Sequence, residues 1–130
     1  MNKLIIALGL TTALFGCSSN TNQEDQLNLL ATNRANIIQS KLPVKSGPLS
    51  IMRASANGKT IELMMIYNES ETGAKPIQTV LSQSTKEFCQ QKETKANLDA
   101  GISYRIKMRN PRGQLMVDQY LTKETCKKDS

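Results

Sequence analysis

Three side chains in this sequence carry chemistry that can be read one by one: the thiols of Cys17, Cys89 and Cys126. A thiol can be acylated, can pair with another thiol, or can attack a substrate once a base activates it. The third use has no support here. Histidine is absent, which removes the usual base near neutral pH and the commonest metal ligand, and with them any Cys-His dyad, Ser-His pair or zinc motif. Glu62, Asp118 and the serines offer carboxylates and hydroxyls with no evident base and orienting partner. The seven glycines are scattered, and none falls in the GxGxxG or GKS/T spacing that cradles a phosphate. No enzyme activity, cofactor or resident metal is expected, and the thiols are left with acylation and pairing.

Cys17 stands at the end of a leader. Met1-Asn2-Lys3 is a short basic start, and the stretch from Leu4 to Phe15 is apolar apart from Gly9, Thr11 and Thr12, the layout of a secretory signal. As a helix that stretch reaches about 18 Å, well short of a hydrocarbon core of roughly 30 Å, so it is not a membrane span. Leu14-Phe15-Gly16-Cys17 resembles the lipobox of bacterial lipoproteins, in which a small residue before the cysteine permits cleavage and the thiol receives a diacylglycerol. Phe15 departs from the small or medium residue usual at its position, which leaves the rate of processing open. The competing reading is an ordinary signal peptide with an incidental cysteine. By the lipobox resemblance, residues 1–16 are a signal peptide, Cys17 is the first residue of the mature chain, and its acyl chains hold the protein durably on a membrane. Ser18 follows, where lipoproteins retained at the inner membrane usually carry Asp, so the expected destination is the outer membrane, facing the periplasm.

That compartment is oxidising, and with Cys17 acylated it leaves Cys89 and Cys126 to form a disulfide. The alternative is two buried free thiols. In the chain-entropy model, so long a loop would stabilise the fold by roughly 4 kcal/mol when closed. Loss of Lys3 with the leader lowers the formal charge from +6 to near +5. The cations are spread except for Arg105, Lys107, Arg109 and Arg112. The compartment and the lack of an aromatic stacking platform argue against nucleic acid. A solvated strand edge explains the cluster, and contact with anionic lipid or an acidic partner is the functional alternative.

The chain must then build one domain to position these residues, since its length allows a single core. The polar stretch 17–23 reads as a tether and 24–130 as the domain. Leu27, Leu30, Ala31, Arg34, Ile37, Ile38 and Leu42 recur at helical intervals over 24–42, with Glu24 and Asp25 at the positive end and Pro43 as the stop. Strand-like runs at 48–56 and 60–68 flank Asn57-Gly58, a strong hairpin signal. A second helix is predicted from Pro76 to about Gln91, and a short third one over 95–100, closed by Gly101. A second hairpin joins 102–109 to 114–121 around Asn110-Pro111-Arg112-Gly113. The expected class is α+β: an antiparallel sheet of four to five strands with helices packed on one face and one disulfide.

Period-two reading of the strands separates a core face from a second face. Ile102, Tyr104, Ile106 and Met108 alternate with Ser103, Arg105, Lys107 and Arg109. Leu115, Val117 and Leu121 alternate with Met116, Asp118 and Tyr120. In 60–68, Ile61, Leu63, Met65 and Tyr67 share one side, yet Met64 and Ile66 are apolar on the other. With Met52 and Met116 they suggest a methionine-rich strip away from the helices, able to adapt to another chain's apolar surface. The alternative is that the protein's own segments cover both faces.

The stretches "ANIIQSKLPVKSGPLSIMRASANGKTIELMMI", "FC" at 88–89, "LDAGISYRIKMRNPRGQ" and "LTKETC" resemble the AspS-type pilotins of the type II secretion system, the beta class of its S component. The resemblance runs from about residue 26 to Cys126. It implies a sheet backed by helices with the two late cysteines bridged. It also implies an outer-membrane lipoprotein, carried by the lipoprotein transport machinery, that binds the helix-forming C-terminal S-domain of the secretin and pilots it to the outer membrane. The secretin helix would lay its apolar side in a groove. The strip Met52, Met64, Ile66 and Met116, supported by Arg105 and Lys107, is the expected lining, with Ile37 or Ile38 on the first helix as the alternative. A different class, a periplasm-facing lipoprotein that binds a small apolar ligand or envelope component, would show a closed apolar cavity instead.

Overall fold

The structure, a computed structural model, describes residues 19–128, with side chains described from residue 22. The expected signal peptide and Cys17 lie outside the described residues. The chain folds as α1 (Ser19–Gln39), β1 (Val44–Ser46), β2 (Leu49–Asn57), β3 (Thr60–Tyr67), α2 (Ile77–Gln90), α3 (Lys92–Ala100), β4 (Ser103–Arg109), β5 (Leu115–Leu121) and α4 (Lys123–Lys128). The five strands lie side by side in the order β1-β2-β3-β4-β5.

The class and the disulfide are as expected, and the sheet is mixed rather than wholly antiparallel. β3 and β4 run parallel, with Ile61 beside Tyr104 and Leu63 beside Ile106. A parallel neighbour requires a crossover rather than a hairpin. Residues 68–102, carrying α2 and α3, are that crossover. The other three ladders are antiparallel.

Helix α1 begins at Ser19, inside the stretch read as a tether. Its buried line is Ala31 and Ala35, one turn apart and nearly without exposure. Side chains this small let the helix backbone lie close over β2 and β3, and Leu27, Leu30 and Ile38 close the contact at its margins. Between α2, α3 and β4, Tyr104 is the joint. Phe88 meets its ring edge-on at 4.8 Å, and the buried Asn97 amide donates to its hydroxyl at 2.7 Å. Burial pushes the Tyr104 phenol above its ordinary pKa, against the opposing pull of that hydrogen bond.

Gly101 ends α3 with φ of 109°, a left-handed conformation open to glycine at little cost. The Leu27 side chain also comes within 3.2 Å of where a Cβ would stand. One small residue therefore stops α3, aims the chain into β4 and admits the first turns of α1. Cys89 on α2 and Cys126 on α4 are bridged, with Cα atoms 5.5 Å apart. The bridge fixes α4, a helix of six residues too short to persist alone.

Candidate partner-binding site

Every helix from α1 to α4 contributes side chains to the core on one face of the sheet, among them Ala31, Phe88, Leu98 and Cys126. The opposite face is open among the described residues, and its composition follows from strand register. Ser50, Ile66, Arg109 and Leu115 form one row across β2 to β5. Arg53, Met64, Lys107 and Asp118 form the next, and Ser55, Glu62, Arg105 and Tyr120 the third. Neighbours in a row stand about 4.8 Å apart, close enough for side chains to touch.

Arg105 organises the charge on this face. Its Nε and Nη2 donate to Asp118 Oδ1 and Oδ2 at 2.8 and 2.7 Å, a two-pronged contact. Nη1 donates to Glu62 Oε1 at 3.4 Å, and the guanidinium carbon lies 5.1 Å from the centre of the Tyr120 ring. Lys107 Nζ approaches Glu62 Oε2 at 3.7 Å. Hydrogen bonding from Arg105 holds the Asp118 carboxyl below its ordinary pKa, outweighing a smaller loss of hydration. These groups keep a quarter or so of their surface in water, where ion pairs add little stability. The network's effect is to fix geometry: Arg105 and Lys107 are held by carboxylates, and the guanidiniums of Arg53 and Arg109 bring an excess of positive charge. A recess of about 90 Å³ opens between Arg53, Met64, Lys107 and Arg109.

The structure brings some of the expected residues together and separates others. Met64, Ile66, Arg105 and Lys107 share the open face, and Met64 and Ile66 are half-buried there. Met52 is the extra residue of a bulge between Ile51 and Arg53, next to Met64. Met116 is the extra residue of a second bulge, in β5, and lies across the cationic strand β4 from Met64 and Ile66. The four are thus two apolar clusters parted by Lys107 and Arg109. Ile37 is 51% exposed on the outside of α1, while Ile38 turns to the core.

Leu115 is a correction. Strict alternation assigned it to the core with Val117, but the β5 bulge puts it opposite Arg109 on the open face, 47% exposed. Arg53 and Tyr120 also belong to this face. Arg53 escaped the pattern because the β2 bulge breaks alternation, whereas alternation did place Tyr120 on this side and only its contact with Arg105 had no local signal. Among the described residues no group of acids or cysteines is placed to hold a metal, and no helix is long and apolar enough to cross a membrane.

Known proteins share this architecture. Residues 23–126 match the family model of the type II secretion system pilotin, S protein. The solved structure of the type II secretion pilotin AspS from Vibrio cholerae is 50% identical, with a TM-score of 0.77, over 84% of this chain and all of that one. The lipoprotein YghG of Escherichia coli K12 is 28% identical over 93% of this chain and 87% of its own length. The pilotin–secretin AspS–GspD complex of enterotoxigenic E. coli includes a chain that is 20% identical, with a TM-score of 0.53, over 88% of this chain and all of that one, a likeness of fold.

Proposed function

The chain belongs to the type II secretion pilotin S-protein family, and from that premise we propose that it binds the C-terminal segment of the system's secretin and delivers it to the outer membrane while anchored through Cys17. The observation that carries the proposal is the family match, which spans residues 23–126, from within α1 to the bridged Cys126. A relative named as a lipoprotein supports the anchor, and a complex named as pilotin with secretin supports the partner.

The open face of the sheet suits that role. Met64 and Ile66 offer a half-buried apolar ridge, which an amphipathic helix can cover with side chains spaced three and four residues apart. The surrounding excess of guanidinium charge favours acidic residues on the flanks of the same helix. Ordering a flexible tail on such a surface costs several kcal/mol, so moderate affinity is expected, enough to hold the subunit in transit. The acyl chains give the address and the face gives the selectivity.

Replacing the anchor thiol separates the two. In cells carrying Cys17→Ser, the secretin is expected to collect away from the outer membrane while the variant still captures it in solution. Equal delivery of the secretin with and without the thiol would contradict the proposal.

A further inference from the structure

The end of the molecule at which α1 begins carries a second recess. Leu27 packs on Gly101, and Asn28 lies beside Gly58 at the turn between β2 and β3, so α1 enters the fold at this end and its first turns extend beyond it. Helix α1 begins at Ser19, two residues after Cys17 in sequence, and carries the chain about 12 Å from there to Leu27. Residues near Gly101 are therefore held close to whatever membrane the acyl chains occupy.

Next to Gly101, the ends of α2, α3 and α4 enclose a recess of about 260 Å³. Its floor is apolar, made by Leu98 and the Cys89–Cys126 bridge. Its rim carries Lys86, Lys95, Lys123 and Lys127 with one carboxylate, Asp99. Lys123 meets that carboxylate at 3.1 Å. Glu124, also on α4, bonds to its own helix start and to Thr122, and the nearby charges of Lys127 and Lys123 help to lower its pKa, so it offsets part of the rim's positive charge. The lining thus combines an excess of ammonium groups with an apolar base, the complement of an anionic head joined to hydrocarbon.

We propose that this recess takes the phosphate of an anionic membrane lipid, which orients the domain on the bilayer with α3 and α4 towards the surface; this rests on the Cys17 anchor proposed above. The rim lysines meet the phosphate, while Leu98 and the disulfide receive the first methylenes of the lipid. The recess is too small for the apolar ridge of a helix, which separates it from the open sheet face. Seating it fixes the tilt of the sheet, so that the partner face projects sideways rather than into the headgroups.

The test uses the full acylated chain on vesicles of phosphatidylcholine with and without phosphatidylglycerol, reading acetylation of individual lysines by mass spectrometry. Phosphatidylglycerol is expected to slow labelling of Lys95 and Lys123 by roughly threefold or more, leaving Lys45 and Lys75, at the other end of the sheet, unchanged. The paired variant Lys95→Glu with Lys123→Glu should still sediment with both vesicles, and its Lys86 should show no such protection. Equal labelling on the two vesicles by a chain that sediments with both would overturn this inference alone. A chain that sediments with neither would remove the anchor and this inference with it. Protection by inorganic phosphate without vesicles, or by a secretin C-terminal peptide in place of phosphatidylglycerol, would also overturn it.

Discussion

The two faces of one sheet differ in cover and in composition. On the covered face, Ile61, Tyr104, Met108 and Leu121 are almost wholly buried, and the side chains follow strict alternation along β3 and β4. On the open face, Met64 and Ile66 stand among four cations and two carboxylates, and bulges at Met52 and Met116 break the alternation. The contrast separates the face that carries stability from the face proposed for recognition. The covered face needs volume and shape, whereas the open face needs apolar area that stays accessible without inviting aggregation, and interspersed charge does that.

Substitution of one methionine on each face puts the contrast to a direct test. Met108→Ala empties a fully buried site and is expected to destabilise the fold by about 2–5 kcal/mol. Met64→Ala, on the half-exposed face, should cost under about 1 kcal/mol. Urea unfolding of both variants measures the gap, and equal losses would mean that the two faces do not differ as described.

A smaller effect concerns the charge network. Arg105 holds the Asp118 carboxyl below the usual carboxylate range, so the contribution of this group is present above the ordinary value of the unfolded chain and is lost as pH falls through the lower, folded one. The stability difference between the protein and its Asp118→Asn variant should therefore be constant near neutrality and shrink once the pH drops below about 4. A difference that stays flat through that range would show that the pair adds nothing to the folded state.

Much of the covered face was legible from residue order. Asn57-Gly58 announced the first hairpin, Gly101 the end of α3, and the run from Ile102 to Met108 its own buried side. Cys89 and Cys126 were a pair by compartment before their positions were known. The rest depends on contacts between distant segments. Nothing local reveals that β3 and β4 are parallel neighbours, yet that adjacency brings Glu62 to Arg105 and Lys107. β1 is three residues long, and its order comes from pairing with β2. α4 is tied down by the Cys126 bridge rather than by periodicity. Bulges are equally silent in sequence: each adds one residue and reverses the facing of the side chains on one side of it relative to the other, which is how Leu115, just before Met116, came to the open face.

The most direct measurement is the binding of a synthetic peptide spanning the C-terminal segment of the cognate secretin, followed by calorimetry with the protein and with the paired variant Met64→Asp, Ile66→Asp. The account predicts binding by the protein and a loss of roughly tenfold or more in the variant, whose fold stays intact because the core face is untouched. No binding by the protein would contradict the pilotin function, and equal binding by a folded variant would contradict the open face as its site.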